Sequence, residues 1–487
     1  MRILWVDDEI EGFRPHIIFL EKEGIAVTAV DRPSDAIDAL KKESFDLILI
    51  DYRMPEMNGL SLFKEVKKIA PNVPVALVTM VSDRDVMEES ISEDVFDYIL
   101  KPVQPSQILA LINRLRAREI KSKVYGKKLV DAYQKFELME ESPEGWLNFA
   151  LEFARIATEF GLDETLSAEL KAANLKFARW VIRNYPELLE NESILMSHRV
   201  LDRIFPALDD NRKVAYFVFD NFRLDQFLKL LRTLPSGMRI DYEPYYGLLP
   251  TATPFARNAL FAGILPIDIE RRHPGWTNDN RHEHVLLREY LNDSGYTWAD
   301  MWLYKIRTPS ELAAVQPHGK HFEAYVINFI DLLSHMRLEV EVLKDMIADG
   351  DSFRHWCEFI LDEARVGEKI KSFVEQGYIV FMTSDHGWVE GKTPLIIKGG
   401  TELTQGLRYK FGDSIRVAGK EAVLIKDIED FGIMRRKNMG RLALAIGYSY
   451  FIYSSNPSKF KKTYHGGIYH GGISLEEMII PLIKIQA

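Results

Sequence analysis

The sequence predicts an α/β protein in three parts, with an α/β domain at each end and helices between them. Residues 1–120 alternate short apolar runs with amphipathic stretches, residues 121–205 carry helical periodicity alone, and strand-like runs return over residues 206–487. The chain has 487 residues, of which 47% are hydrophobic and 28% charged, so it can form more than one core.

Composition excludes several classes of protein. No apolar run reaches the roughly 18 residues that span a bilayer, and acids stand near the start where a signal peptide is apolar, so we expect a soluble, cytoplasmic protein. Cys357 is the only cysteine, which excludes internal disulfides and cysteine-based zinc sites. Any metal must therefore be held by Asp, Glu, His or hydroxyl groups.

The N-terminal part predicts a parallel sheet with helices on both faces. Its apolar runs are RILWV, IAVTA, DLILI, PVALVT and FDYIL, and helical segments such as residues 34–43 lie between them.

Polar residues follow these runs at the predicted carboxyl ends of the strands, where open parallel sheets bind ligands. They are Asp7, Asp8, Asp51, Thr79 and Lys101. Three clustered carboxylates repel one another unless a hard cation such as Mg²⁺ neutralises them. Thr79 can then donate to a transferred phosphoryl group, and Lys101 can pair with its charge.

In VDDE, DYRMPEMNG and DYILKP, residues 1–120 resemble the receiver domain of two-component response regulators, which has a flavodoxin-like fold. The resemblance implies that Asp51 accepts phosphoryl from a sensor histidine kinase or a small donor. It also implies that Asp7 and Asp8 bind the Mg²⁺ together with Asp51.

The same resemblance makes Thr79 and Tyr98 a switch pair that repacks when Asp51 is modified. We expect phosphorylation to shift monomers to homodimers through the face that contains Tyr98 and the helix over residues 107–118.

The middle part, residues 121–205, reads as a helical bundle or spacer. Its apolar residues recur every three or four positions, and it shows no basic recognition helix, so DNA binding is disfavoured.

In the C-terminal part, three carboxylates again end strand-like runs. Asp220 ends VAYFVF, Asp331 ends AYVINFI, and Asp385 with His386 ends YIVFMTS. His335 lies four residues after Asp331, on the same face if a helix begins there. Mixed Asp and His ligands suit Zn²⁺ or Mn²⁺ better than Mg²⁺.

Two further features join this set. His470 lies in HGGIYHGGIS, where His465 is a near-duplicate. Thr253 precedes Pro254, which predicts Thr253 at a helix N-cap where its hydroxyl meets free N–H groups and a phosphate oxygen, with Thr251 as the neighbouring competitor.

Residues 206–487 resemble the PglZ branch of the alkaline phosphatase superfamily, in Asp220, Thr253, DLLSH, SDHG and HGGISLEEMIIP. The resemblance implies a site with two zinc ions and a phosphothreonine intermediate on Thr253, which water then hydrolyses. One ion would be bound by Asp220, Thr253, Asp385 and His386, and the other by Asp331, His335 and His470. Asn258 would hydrogen-bond a phosphoryl oxygen.

The order of the three parts resembles PorX-type response regulators. This resemblance implies a hydrolytic output regulated by phosphorylation. It also allows an alternative, a signalling adaptor with a structural metal site that acts through contacts with a sigma factor or a type IX secretion component.

A basic segment suggests the substrate. Residues 391–470 carry 14 Lys and Arg against 6 Asp and Glu. Cations alternate there with aromatics, the combination that binds single-stranded nucleic acid, and a solvated basic face is the competing interpretation. The cations are Arg408, Lys410, Arg435, Arg436 and Lys462, and the aromatics are Tyr409, Phe411, Phe460 and Tyr464. We therefore expect a phosphodiesterase that acts on linear or cyclic oligonucleotides.

Overall fold

The computed structural model describes residues 1–79, 95–105, 107–109, 111–112, 115, 140–161, 164–209, 212–399, 406–417 and 419–487. The chain forms two compact units, Met1–Gly126 and Lys127–Ala487. The helices predicted for residues 121–205 therefore belong largely to the second unit, and the separate middle domain stays a prediction. No described helix is both long enough and apolar enough to cross a bilayer.

The first unit confirms the predicted parallel sheet. Its five strands are all parallel, in the order β2-β1-β3-β4-β5. The strands are β1 (Arg2–Val6), β2 (Ala26–Val30), β3 (Leu47–Asp51), β4 (Val75–Thr79) and β5 (Asp97–Leu100), and the helices are α1 (Arg14–Lys22), α2 (Pro33–Lys42) and α3 (Gly59–Ile69). Apolar cores form on both faces, because alternate residues of the central strands point to opposite sides. A further helical segment includes residues 107–109, and much of the predicted 107–118 helix lies outside the described residues.

The second unit is built on a six-stranded mixed sheet in the order β7-β19-β10-β6-β9-β8. Its strands are β6 (Lys213–Phe219), β7 (Arg239–Tyr246), β8 (Met301–Ile306), β9 (Phe322–Ile327), β10 (Tyr378–Ser384) and β19 (Ile479–Gln486). β6, β7, β8, β9 and β10 all run in one direction, and β19, between β10 and β7, runs antiparallel to both of its neighbours. The predicted runs VAYFVF and YIVFMT are thus confirmed as strands, and the run AYVINFI is a strand only as far as Ile327, after which the chain enters α13. The three strands are adjacent and buried on both faces.

The described part of the second unit also contains α-helices. They are α4 (Pro143–Phe160), α5 (Glu164–Glu190), α6 (Val200–Ile204), α7 (Pro206–Asp209), α8 (Leu224–Thr233), α9 (Thr253–Ala262), α10 (Pro266–Arg272), α11 (Glu283–Asp293), α12 (Pro309–Ala314), α13 (Phe329–Glu339), α14 (Glu341–Met346), α15 (Gly350–Glu363), α16 (Val366–Glu375), α17 (Pro457–Tyr464) and α18 (Leu475–Met478).

Small sheets form an insertion between β10 and β19. Their strands are β11 (Val389–Glu390), β12 (Thr393–Lys398), β13 (Tyr409–Gly412), β14 (Arg416–Val417), β15 (Ala422–Ile425), β16 (Arg441–Ala445), β17 (Ser449–Tyr453) and β18 (Ile468–Tyr469). The predicted run EAVLIK is β15, which belongs to one of these sheets rather than to the central one.

Candidate functional site

An acidic cluster lies at the carboxyl edge of the first sheet. Asp7, Asp8 and Asp51 each offer an oxygen within 4.8 Å of the others. They meet because β1 and β3 are adjacent and parallel, so both strands end at the same edge. α3 also starts close to this edge, since a Cβ on Gly59 would lie 2.5 Å from the backbone oxygen of Asp51. Only glycine allows that approach.

Lys101 completes the cluster. Its ammonium lies 2.9 Å from Asp51 Oδ1 and 3.2 Å from Asp7 Oδ2. Burial raises the pKa of Asp51 and the charge of Asp7 adds to the rise, while the hydrogen bond from Lys101 opposes it. Three carboxylates against one ammonium leave an excess of negative charge, which fits a hard dication such as Mg²⁺.

The proposed switch residues lie on neighbouring strands. Thr79 ends β4 and is buried, whereas Tyr98 on β5 is half-buried. The register pairs Leu77 with Tyr98 and Thr79 with Leu100, so the two switch residues are two positions apart along the ladder. Their role in switching stays a prediction.

In the second unit, Asp220, Asp385 and His386 form one group of potential metal ligands. One ligand atom from each lies within 4.8 Å of the others, and all three residues are buried. Asp220 directly follows β6 and Asp385 directly follows β10, and these strands are adjacent and parallel. The predicted convergence at the strand ends is therefore observed.

Thr253 adjoins this group. Its Oγ1 lies 3.1 Å from His386 Nε2 and 3.4 Å from Asp220 Oδ1. The helix α9 begins one residue earlier than predicted, because Ala252 is its N-cap and Thr253 is its first helical residue. The hydroxyl nevertheless remains at the amino end of the helix, where the dipole favours an anion.

A second group consists of Asp331, His335 and His470, whose ligand atoms also lie within 4.8 Å of one another. Asp331 lies in the first turn of α13 rather than at the end of β9 as predicted. His335 follows one turn later on the same face, with Nε2 3.1 Å from Asp331 Oδ2. His470 Nε2 lies 3.7 Å from Asp331 Oδ1. His465 is exposed at the end of α17 and belongs to neither group.

Asn221 links the two groups. Its backbone N–H donates to Asp385 Oδ1 at 3.2 Å, and its side-chain amide donates to Asp331 Oδ1 at 3.0 Å. The rings of His386 and His470 stack with centroids 4.1 Å apart. The two groups therefore form one continuous site.

The electrostatics of this site fit cation binding. Burial raises the pKa of Asp220 well above its usual value, and the charge of Asp385 raises it further. Burial likewise raises the pKa of Asp385 to about 6. Oδ2 of Asp385 is buried and accepts no hydrogen bond within the described part of the chain. A dication would relieve this crowding of carboxylates.

The imidazoles are also prepared as ligands. Burial lowers the pKa of His386 to about 4 and that of His470 to about 3, which keeps both rings neutral at pH 7. His386 Nδ1 faces the carbonyl oxygen of Gly387 at 3.2 Å, and His470 Nδ1 faces that of Thr251 at 3.0 Å. Because a carbonyl can only accept, each Nδ1 carries the proton, and each Nε2 presents its lone pair to the ligand group, where that of His386 lies 3.1 Å from Thr253 Oγ1.

Arg257 is a site residue that the sequence analysis missed. It lies one helical turn after Thr253, and its Nη1 donates to Asp220 Oδ2 at 2.5 Å. Its Nε donates to Glu283 Oε1 at 2.6 Å, so the single charge of this buried guanidinium lies between two carboxylates. The spacing of four residues from Thr253 was the available signal.

Asn258 has a different environment from the one predicted. Its side-chain amide donates to the carbonyl oxygens of Pro254, Trp276 and Asp279, at 2.8, 3.0 and 2.9 Å, and its Oδ1 accepts from Asn280 at 3.1 Å. With its hydrogen-bonding groups used in this way, Asn258 holds a loop against α9 and offers nothing to a phosphoryl oxygen.

Arg408 and Lys410 also differ from the prediction, because both are buried, at 0% and 1% exposure. Arg408 forms a two-point ion pair with Glu477, at 2.8 and 2.7 Å. Lys410 donates to the hydroxyl of Tyr453 at 2.9 Å. Neither residue presents its charge to a substrate on an open face.

The Arg408–Glu477 pair supports the loop that carries His470. Glu477 Oε1 accepts from the N–H of Gly472 at 2.9 Å, and the Thr251 hydroxyl donates to the Gly472 carbonyl at 2.9 Å. Thr251 Oγ1 also accepts from the N–H of Gly471 at 3.0 Å. The hydroxyl of Thr251 is therefore engaged in structure, which leaves Thr253 as the free candidate nucleophile.

Comparison with known proteins agrees with both units. Residues 3–113 match the family described as a response regulator receiver domain, and residues 201–485 match the BREX system PglZ alkaline phosphatase-like domain.

Curated relatives match the first unit. The DNA-binding transcriptional regulator NtrC of Proteus hauseri is 37% identical over 112 residues, which are 23% of this chain and 24% of that protein. The alginate biosynthesis regulatory protein AlgB of Pseudomonas putida is 34% identical over 124 residues, 25% of this chain and 28% of that protein. The chain thus spans only about a quarter of the length of these relatives.

Among solved structures, the receiver domain of the Francisella response regulator 1452 is 25% identical with a TM-score of 0.23, and covers 24% of this chain and 98% of that one. A CheY-like receiver protein of Methanospirillum hungatei is 29% identical with a TM-score of 0.23, and covers 24% and 95%. The chain belongs to the PglZ family of alkaline phosphatase-like proteins and carries a response regulator receiver domain before it, the order found in PorX-type response regulators.

Proposed function

We propose that the second unit is a metal-dependent phosphodiesterase with Thr253 as its nucleophile. One observation carries this proposal. The Thr253 hydroxyl lies at the amino end of α9, within 3.5 Å of two members of a ligand group that continues into a second ligand group. A hydroxyl beside two adjacent cation sites is the arrangement needed for in-line displacement at phosphorus.

The residues present fit two ions of the Zn²⁺ or Mn²⁺ type. Asp220, Asp385 and His386, with Thr253, would hold one, and the Asp331 group would hold the other. When bound, such ions lower the pKa of a hydroxyl and neutralise charge on phosphoryl oxygens.

The reaction would proceed in two displacements. In the first, Thr253 Oγ1 loses its proton and bonds to phosphorus, and the bond to the leaving oxygen breaks as that oxygen gains a proton. In the second, water attacks the phosphorus of the phosphothreonine, which still carries one ester group. The bond to Thr253 Oγ1 breaks, the phosphomonoester is released, and a proton from the attacking water restores the hydroxyl. Arg257 keeps Asp220 oriented through both steps, since its guanidinium is fixed by Glu283.

We propose that the substrate is an oligonucleotide, either linear or cyclic. Support comes from α17, which has no buried residue and ends six residues before His470. Lys462 is exposed on this helix, and Phe460 and Tyr464 are half-buried against Tyr450 and Tyr469, with their rings parallel and their centroids 6.0 Å apart. Cations follow a phosphate backbone and aromatic rings stack on bases.

The test is the substitution Thr253→Val, assayed on bis-p-nitrophenyl phosphate and short RNAs after loading with Zn²⁺ or Mn²⁺. The matched control is Thr297→Val, which removes an exposed hydroxyl from the segment between α11 and β8. We expect Thr253→Val to lose hydrolysis with most of its metal retained, and the control to stay active. An active Thr253→Val would remove Thr253 as the nucleophile. A wild-type protein that holds metal and cleaves no diester would favour the adaptor that contacts a sigma factor or secretion component.

For the first unit, we propose that Asp51 accepts phosphoryl from a sensor histidine kinase while Asp7, Asp8 and Asp51 hold Mg²⁺. The support is the acidic cluster with Lys101 2.9 Å from Asp51. Phosphorylation would shift the chain to homodimers. Sedimentation with a beryllofluoride mimic tests this, and an unchanged mass at high concentration would contradict it.

A further inference from the structure

The two edge strands of the six-stranded sheet differ in character. β7 exposes the charged residues Arg239, Asp241 and Glu243, and such charges discourage pairing with another strand. β8 instead exposes Trp302 and Tyr304, at 39% and 40%. The β7 edge is therefore protected against strand addition by its charges, whereas the exposed face of β8 carries no such charges.

The backbone of β8 has an outer side that is free to pair. The carbonyl oxygens of Asp300 and Ile306 accept hydrogen bonds from the β9 side, at 3.1 and 2.9 Å. Since successive residues of a strand alternate, the N–H and C=O groups of Met301, Leu303 and Lys305 point away from β9. Within the described part of the chain, no backbone group pairs with them.

We propose that two copies of this chain join their β8 strands edge to edge, antiparallel about a two-fold axis, with Leu303 opposite Leu303. The axis runs perpendicular to the sheet, so two residues that face each other lie on the same face of the sheet. Because side chains alternate between the faces, two such residues have numbers that are both odd or both even. Centring on Leu303 matches every outward residue, because Met301 then faces Lys305 of the second copy. Both copies use all of their outward amides and carbonyls.

The side chains favour a second copy over an unrelated strand. In this register Trp302 of each copy lies opposite Tyr304 of the other, in a non-hydrogen-bonded pair where side chains are closest. Aromatic pairs opposite each other stabilise antiparallel strands. The exposed faces of two identical strands thus complete each other, with two aromatic pairs related by the axis.

Sedimentation of the full chain from low to high concentration tests the proposal, with Asp51→Asn as the background of every variant. This substitution removes the phosphorylation-dependent dimer proposed for the first unit, so any remaining concentration-dependent dimer reports on β8, which lies in the second unit. We expect Tyr304→Lys to weaken dimerisation at least about tenfold, because it removes both aromatic pairs and sets lysines beside the axis. Ile396→Lys is the matched control, since Ile396 is 38% exposed on a strand of a different sheet. Far-ultraviolet circular dichroism confirms that both variants fold. A monomer at all concentrations, or equal dimerisation by Tyr304→Lys and wild type, would overturn the proposal.

Cysteine crosslinking tests the register. The one native cysteine, Cys357, is buried, so introduced thiols on β8 are the reactive ones. Leu303→Cys should form a covalent dimer under mild oxidation, because residue 303 of each copy faces residue 303 of the other and both aromatic pairs are kept. Met301→Cys should crosslink far less, since residue 301 faces Lys305 of the second copy. Equal crosslinking by both variants would refute the register, and so would pairing with an added peptide strand instead of a second copy.

Discussion

Replacement of Arg408 by methionine distinguishes a structural from a substrate-binding arginine. Arg408 is fully buried and donates twice to Glu477, at 2.8 and 2.7 Å, and also to the carbonyl of Ser449. Methionine keeps much of the side-chain volume and removes the charge. The carboxylate of Glu477 would then be buried without its counter-charge.

The magnitude follows from that isolated carboxylate. Removal of one partner of a buried ion pair costs about 3–5 kcal/mol. A second substitution, Glu477→Gln, should recover about 2 kcal/mol of that loss, because it removes the stranded charge. The glutamine also keeps an Oε1 acceptor for the N–H of Gly472, which in the wild type lies 2.9 Å from Glu477 Oε1. Because this hydrogen bond supports the loop of His470, Arg408→Met should also weaken metal binding by about 10–100-fold.

Denaturant unfolding monitored by tryptophan fluorescence is the assay, since every tryptophan except Trp5 belongs to the second unit. The control is Arg435→Met, because Arg435 is 51% exposed and its loss should cost less than about 1 kcal/mol. The reasoning would be refuted if Arg408→Met unfolded at the wild-type denaturant concentration and only raised KM. That result would support the earlier prediction that Arg408 contacts the substrate.

Three further predictions follow. His470→Ala should lose about half of the bound zinc whereas His465→Ala should keep all of it, as measured by metal analysis after dialysis; equal losses would contradict the choice of His470. Asp51→Asn should no longer be labelled by acetyl phosphate, whereas Lys101→Met should be labelled but lose its phosphoryl group sooner than the wild type, as followed by mass spectrometry. Labelling of Asp51→Asn would refute Asp51 as the phosphoacceptor. Burial lowers the pKa of His198 to about 3, so below pH 6.5 the unfolded chain binds a proton that the folded chain does not, and stability falls with pH. Relative to His198→Gln, the wild type should lose about 2 kcal/mol between pH 7.5 and 5.0 in denaturant unfolding, and parallel losses in both proteins would contradict this.

The central strands of both units could be predicted from local sequence. Strands such as β3, β6 and β10 are continuous apolar runs because both faces of a parallel sheet are covered. β7, β8 and β19 were not predicted. β7 and β8 lie at edges and alternate exposed with partly buried residues, and β19 joins the sheet from the far end of the chain.

The candidate ligands were predicted because each follows a strand or lies one helical turn from another ligand. Their supporting residues were not, because they act through contacts distant in sequence. Arg257 meets Asp220 across 37 positions, and Arg408 meets Glu477 across 69. A basic residue next to an aromatic residue gives the same sequence pattern whether the pair lies on the surface or in the interior.

The sequence by itself determined the two α/β units, the acids and imidazoles at their strand ends, and Thr253 beside a helix start. These features depend on apolar periodicity and on residue type, which are local. The tertiary structure alone decided that Arg257 holds Asp220, that Arg408 and Lys410 are buried, and that β8 is left with an open edge. Each of these depends on which distant segments meet, and a buried charge or an unpaired strand exists only once the chain has packed around it.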